Sequence, residues 1–249
     1  MASFQWGREY SRTRVADRRI SALIAEQLHG QSHVLNVGCG SGNYESAGEG
    51  QWVVGLDPSV TMLQQRDGSG PSVVGTAECL PFRSGSFSAT MSILAAHHWA
   101  DVAAGVRELE RVTTECIVIL TYAPDIGPEF WLTDDYFPVL GAADDDRFLP
   151  LPKFCRLFSW PRVSVSIVPI PADCSDGFLE AFWARPHAYL DASIRANMSS
   201  FSLDDSTGVA AGLERLADDL DTGVWHEKWG HLLALESLDL GYRLVTVRK

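Results

Sequence analysis

The chain has 249 residues, 46% of them hydrophobic, enough for one large α/β domain with an appended cap. Its formal net charge of −12 opposes a polyanionic partner, because phosphate contacts need clustered Lys and Arg, so nucleic acid is not an expected substrate. Five scattered cysteines without C-x-x-C spacing exclude a disulfide scaffold and a cysteine metal site, and no apolar run reaches bilayer length; a reduced, cytoplasmic protein with no membrane partner and no metal is expected.

Aromatic residues Phe4, Trp6 and Tyr10 precede a basic stretch, Arg12, Arg14, Arg18 and Arg19. Ile20, Leu23, Ile24 and Leu28 then recur at helical spacing, and Gly30 closes this amphipathic helix. Val34, Leu35 and Val37 suit a strand buried on both faces, which runs into the turn Gly38-Cys39-Gly40-Ser41-Gly42. A second apolar strand over residues 52–56 ends in Asp57. Ligands of open α/β sheets sit outside the carboxyl ends of the strands, where an acid closing strand two grips a ribose diol. The two motifs together predict a nucleoside-containing cofactor. A dinucleotide fingerprint needs glycines at the first, third and sixth positions, and the sixth here is Asn43; no P-loop Lys-Ser/Thr follows either.

Further along, Ser59 caps a short helix carrying Met62, residues 72–75 form a third strand, and Glu78 follows in a loop where Pro81 blocks helix formation. Phe87, Ala89, Met91 and Ile93 alternate with polar residues as strand four, whose end, residues 94–99, points at the ligand crevice. Asp101 caps the next helix, and residues 116–120 are a buried fifth strand. After Tyr122 the composition turns aromatic, acidic and proline-rich. The expected organisation is a core over 1–125, a cap over 126–162, a strand over 163–170, a helical insertion over 171–240 and a closing strand over 241–249. The acidic clusters at 144–146, 204–205 and 218–219 read as solvated surface.

The ordered segments 34–43, 54–59 with Met62, Ala77-Glu78-Cys79-Leu80-Pro81-Phe82, 85–87, 94–99 and 106–112 resemble the class I S-adenosylmethionine-dependent methyltransferases. The likeness is greatest to the branch containing the ubiquinone/menaquinone-biosynthesis methyltransferases. Two positions depart from the pattern: Asn36 stands where an acid is usual, and Ser88 where an Asp is usual. The resemblance implies a Rossmann-like, seven-stranded, mostly parallel sheet with helices on both faces, the last strand antiparallel, and S-adenosyl-L-methionine as cofactor. It places Tyr10 and Arg14 near the methionine carboxylate, Met62 beside the adenine, and Glu78 at the adenine amino group. Asn36, Gly38, Cys39, Gly40, Asp57, Pro58, Ala77, Leu94 and His97 complete the implied cofactor set.

A sulfonium methyl group is already activated, so transfer rests on positioning and dry surroundings; a base is needed only for a protonated nucleophile. His97 and His98 stand where such a base belongs, or else they orient the loop. The Asp/Asn-Pro-Pro-Tyr/Phe segment of amine and nucleobase methyltransferases is replaced by Ala95-Ala96-His97-His98, which favours O- or C-methylation. The aromatic cap suggests an apolar or aromatic small-molecule acceptor lined by Trp131, Tyr136, Phe137 and Trp183, with Arg185 or Arg195 as an anion contact; packing of the cap is the competing role of the tryptophans. Other chemistry on the same sulfonium, a non-catalytic cofactor-binding role and an NAD-dependent oxidoreductase are the alternatives.

Overall fold

The computed structural model describes residues 14–45, 50–66, 70–127, 129–196, 198–202 and 207–249. Tyr10 lies outside these residues.

Seven strands form the main sheet: β1 (His33–Val37), β2 (Trp52–Asp57), β3 (Ser72–Val74), β4 (Phe87–Ile93), β5 (Thr113–Tyr122), β6 (Arg162–Ile167) and β9 (Tyr242–Arg248). Their order is β3-β2-β1-β4-β5-β9-β6. The first five are parallel, and β9 runs antiparallel between β5 and β6. The order reverses between β1 and β4, and that switch point opens a crevice at the carboxyl ends of the strands. The mostly parallel Rossmann-like sheet anticipated from the sequence is therefore present.

Alternation along the strands divides the core between two faces. Val34, Val53, Met91 and Val118 pack with Ile20, Ile24 and Leu28 around helix α1 (Arg18–Gln27) and with the aromatic residues of the cap. Leu35, Leu56, Ile117 and Ile119 pack on the opposite face, helped by Val106, Leu109 and Val112 of α3 (Val102–Val112). The helix starts follow their caps. Asp17 accepts from the Arg19 N–H, Ser59 from Met62 at the start of the single-turn α2 (Val60–Leu63), and Asp101 from Ala104.

The strand expected over 163–170 divides in two. Pro169 has no N–H to continue the ladder, so β6 stops at Ile167. The chain then forms β7 (Ile170–Pro171), which pairs with β8 (Ser237–Leu238) in a separate two-stranded sheet.

The cap carries α4 (Pro138–Arg147), α5 (Leu151–Cys155) and short helical segments on either side of α6 (Thr207–Thr222). Trp131, Tyr136, Phe137 and Trp183, expected against the substrate, are instead buried in the cap's own core. The reason is chemical: an indole N–H can be buried once it has an acceptor. Trp131 donates to the Trp183 carbonyl at 3.0 Å and Trp183 to the Ile170 carbonyl at 3.0 Å, while Tyr136 Oη reaches Asp219 at 2.8 Å. Among the described residues no helix is long and apolar enough to cross a membrane.

Candidate functional site

A cavity of about 720 Å³ occupies the crevice, within the roughly 300–1,000 Å³ usual for small-molecule sites. Its floor is the glycine turn after β1. Gly38 has φ +75°, and a Cβ there would lie 2.4 Å from the Ala95 Cβ. The turn thus passes directly against the loop after β4, and any side chain at Gly38 would fill that contact. Leu94, in the same loop, is the one non-glycine described residue at positive φ (52°), a strained conformation of the kind that collects at functional sites.

Asp57, 8% exposed at the end of β2, ties the floor together. One carboxylate oxygen accepts from the Gly40 N–H at 2.9 Å and the other from the Ser59 N–H at 2.8 Å. Burial raises its pKa, partly offset by those two bonds. Each oxygen keeps lone-pair capacity toward the cavity that Asp57 lines.

Asn36 answers to a neighbour that sequence reasoning did not name. Its amide donates to Glu45 Oε1 at 2.9 Å, and the buried Glu45 carboxylate forms an ion pair with Arg66. Arg66 also donates to the Gly70 and Pro71 carbonyls. Glu45 thus braces Asn36 from behind, with Arg66 balancing its charge. Asn36 Oδ1 is buried without a hydrogen-bond partner among the described residues, at a residue that lines the cavity. An acceptor so placed fits a ligand ammonium group.

Pro58, Met62, Ala77 and Glu78 line the cavity beyond Asp57. Glu78 Oε1 accepts from the Ala100 N–H at 2.6 Å and the Asp101 N–H at 3.2 Å, which fastens its loop to the start of α3. Burial raises the Glu78 pKa, but backbone and Thr76 hydrogen bonds outweigh it and the net direction is down. Cys39, Leu94, His97 and His98 line the cavity as well.

Arg14 is brought to the cavity, yet its guanidinium is engaged: Nε lies 2.6 Å and Nη2 3.3 Å from the Asp176 carboxylate. Tyr44 Oη, just past the glycine turn, donates to the same carboxylate at 2.8 Å. Asp176, from the cap, thus joins three parts of the chain.

The two histidines are held neutral. Burial lowers His97 well below its ordinary value, helped by His98. His98, which also lines the cavity, is pushed down to about 4 by partial burial and then by Arg147 and Arg14. Arg147 Nη2 lies 3.4 Å from His98 Nδ1, so a cation faces that lone pair.

Beyond the histidines runs a row of rings: His97 against Phe148 (4.4 Å between centroids), Phe148 against Tyr122 (5.2 Å), Tyr122 against Tyr242 (5.4 Å), and Tyr242 against Phe178 (4.8 Å). All line the cavity, as does Glu180, which accepts from the Tyr242 hydroxyl. None of Phe148, Phe178, Glu180, Tyr122 and Tyr242 stood out in the sequence as a site residue. Tyr122 and Tyr242 had a usable signal, since each ends a strand at the crevice side. Arg185 and Arg195 do not line the cavity; they donate to cap carbonyls of Ala181 and Tyr189.

A reversed parallel sheet, a glycine floor and a buried acid after the second strand define a nucleoside-cofactor site of the class I methyltransferase type. Comparison with known proteins agrees. Residues 35–115 match a family described as a methyltransferase domain. The chain is similar to a demethylmenaquinone methyltransferase of Mycolicibacterium vanbaalenii, 39% identical over 94 residues, 36% of this chain and 40% of that protein. It also matches an uncharacterised protein of Methanocaldococcus jannaschii, 28% identical over 48% of this chain and 46% of that one. The chain spans less than half the length of these curated relatives. Among solved structures, a protein assigned as a methyltransferase of an antibiotic biosynthesis pathway in Anabaena variabilis is 36% identical. That match covers 94% of this chain and 98% of the other, with a TM-score of 0.88. A geranyl diphosphate C-methyltransferase of Streptomyces coelicolor, at 15% identity and TM-score 0.52 over 92% of this chain and 74% of its own, shares the fold alone.

The chain belongs to the class I S-adenosylmethionine-dependent methyltransferase family. The cofactor of that family is S-adenosyl-L-methionine, and the glycine floor, the doubly bonded Asp57 and the unpartnered Asn36 Oδ1 fit it.

Proposed function

We propose that this protein methylates a small molecule, at oxygen or carbon in preference to a nucleobase nitrogen, using S-adenosyl-L-methionine. The observation that carries the reading is Asp57, whose carboxylate is held by Gly40 and Ser59 at the crevice mouth. In this reading Asp57 accepts from the ribose diol. Pro58, Met62 and Ala77 flank the adenine, and Glu78 accepts from its amino group while bracing α3. Gly38, Cys39, Gly40 and Asn36 receive the methionine end, with Leu94 and His97 closing over it. Arg14 acts on that end through Asp176 and Tyr44 instead of as a direct partner of the carboxylate.

The bound cofactor supplies a methyl group on a positively charged sulfur. The chain's part is to orient the acceptor and to keep water away. The ring row from His97 to Phe178 serves both ends, since its aromatic faces form a continuous stretch of the cavity wall. His97 and His98 are neutral near pH 7 and weakly basic, so their main contribution is to shape this wall. Calorimetry with S-adenosylhomocysteine, followed by mass spectrometry of products from a panel of phenols and carbon acids, tests the reading. Binding together with a methylated product supports it; absence of S-adenosylhomocysteine binding overturns it.

A further inference from the structure

The loop that carries Glu78 is shaped by side chains of α3 far more than by its own backbone. Just past β3, the Gly75 N–H donates to the Asp57 carbonyl at 3.2 Å. From there to the start of β4 at Phe87, the described residues show two backbone–backbone bonds: Cys79 N–H to the Thr76 carbonyl at 3.3 Å, and Gly85 N–H to the Arg111 carbonyl at 2.9 Å. Gly75, Thr76, Ala77 and Glu78 line the cavity in this stretch. A segment with so few backbone bonds keeps one shape only where other groups satisfy its N–H and C=O.

Two residues of α3 supply those groups. Glu108 Oε2 accepts from the Leu80 N–H at 2.8 Å, while Arg111 donates from Nη2 to the Leu80 carbonyl at 3.0 Å and from Nη1 to the Phe82 carbonyl at 2.8 Å. The pair is itself forked, with Arg111 Nε on Glu108 Oε1 at 2.6 Å and Nη2 on Oε2 at 2.7 Å. The Arg111 guanidinium holds the Glu108 carboxyl below its ordinary range, so the pair stays ionised at neutral pH. Two residues earlier in the loop, Glu78 is bonded to the N–H groups of Ala100 and Asp101. The loop is thus strapped to one helix at Asp101 and again at Glu108, places about 10 Å apart at 1.5 Å of rise per residue. The helix does not need the clamp to hold its own place, because Val106, Leu109 and Val112 are fully buried beneath it.

We infer that Glu108 and Arg111 are positioning residues for purine selection: by gripping the backbone of Leu80 and Phe82 they fix Glu78 where it accepts from the adenine amino group, so that the site takes an adenine in preference to a 6-oxopurine. This inference rests on the proposed function. An acceptor fixed at the purine 6-position meets a donor in adenine and a second acceptor in hypoxanthine. A site built around such a contact rejects the ligand that lacks it only while its own groups cannot swing away. The arginine fork supplies that rigidity, since one planar group binds two carbonyls and a carboxylate at once. Glu108 and Arg111 do not line the cavity themselves, so their effect on a ligand passes through the loop.

The test titrates the full chain with S-adenosylhomocysteine and its 6-oxo analogue S-inosylhomocysteine by calorimetry. Competition by adenosine and 2′,3′-dideoxyadenosine reports the ribose contact at Asp57 in the same variants. Wild type should bind the adenine ligand about tenfold tighter than the hypoxanthine one or better. In Arg111→Met, S-adenosylhomocysteine should weaken about tenfold and S-inosylhomocysteine little, so that the two bind within about threefold of each other, while the preference for the ribose diol stays within about twofold of wild type. Arg111→Lys keeps the charge without the fork; it should discriminate nearer to the Met variant than to wild type, and serves if Arg111→Met folds poorly. An Arg111→Met protein that keeps wild-type discrimination, whatever its stability in urea, makes the pair merely structural and overturns the inference. Loss of the diol preference to the same degree overturns it too, by showing a general collapse of the site. Equal binding of the two ligands by wild type overturns it and leaves the methyltransferase reading standing. Failure of wild type to bind S-adenosylhomocysteine removes both.

Discussion

Replacing Asp57 by alanine is the most informative single perturbation. The change deletes a carboxylate that accepts from Gly40 at 2.9 Å and from Ser59 at 2.8 Å. It also deletes the proposed partner of the ribose diol. Loss of a buried hydrogen-bonding partner costs about 1–3 kcal/mol, so Asp57→Ala should weaken S-adenosylhomocysteine by about 5- to 150-fold. The two orphaned N–H groups border the cavity and regain water, so the cost to folding should fall toward the lower end of the same range, about 1–2 kcal/mol. Asp57→Asn keeps one acceptor oxygen and should lie between. Calorimetry with S-adenosylhomocysteine measures the first quantity and urea unfolding the second. Competition with adenosine and 2′,3′-dideoxyadenosine separates a diol contact from a collapsed turn. Wild type should prefer the diol, and the alanine variant should lose that preference. An alanine variant that binds S-adenosylhomocysteine as tightly as wild type, or that retains the diol preference, would refute the reasoning.

Three further outcomes are expected. Gly38→Ala should abolish measurable S-adenosylhomocysteine binding and lower stability by about 1–2 kcal/mol or more, because φ +75° is costly for alanine and its Cβ collides with Ala95; a variant with wild-type affinity counts against the glycine floor. Arg66→Met leaves Glu45 buried without its cation and should cost about 3–5 kcal/mol in urea unfolding, with Glu45→Gln/Arg66→Met recovering part of that. His98, ordinarily near 6.5 and pushed to about 4 in the fold, binds a proton more readily when unfolded. Its contribution is therefore complete above pH 6.5 and is lost as pH falls toward 4, so His98→Gln should unfold with a shallower acid slope across that window; an unchanged slope contradicts the assignment.

The cofactor half of the site was legible because its physics is local. Gly38 and Gly40 announce a turn that no side chain could make, Asp57 ends a hydrophobic strand, and Asp101 caps a helix three residues ahead of the donor it needs. The strands were legible for the same reason, apart from Pro169, whose missing N–H divides the segment expected over 163–170. The acceptor half was not. Whether an aromatic residue faces a cavity or a core depends on partners far away in the chain, as with Trp131 on the Trp183 carbonyl, and periodicity carries no record of that. Glu45 and Arg66 escaped for a related reason. The ion pair that braces Asn36 joins residues 21 apart, and neither stands in a motif. Phe148 and Glu180 lie in cap segments held over the crevice by distant contacts: His97 and Tyr122 for Phe148, and Asp176 with Arg14 and Tyr44 for the segment that carries Glu180.

A crystal structure with S-adenosylhomocysteine bound tests the central claim most directly. The account predicts the ribose hydroxyls on Asp57, the adenine between Met62 and Ala77 with its amino group at Glu78, the homocysteine end over Gly38 and Asn36, and the sulfur facing the His97-to-Phe178 row. Density for the ligand elsewhere on the protein, or in the crevice with its ribose away from Asp57, would contradict it.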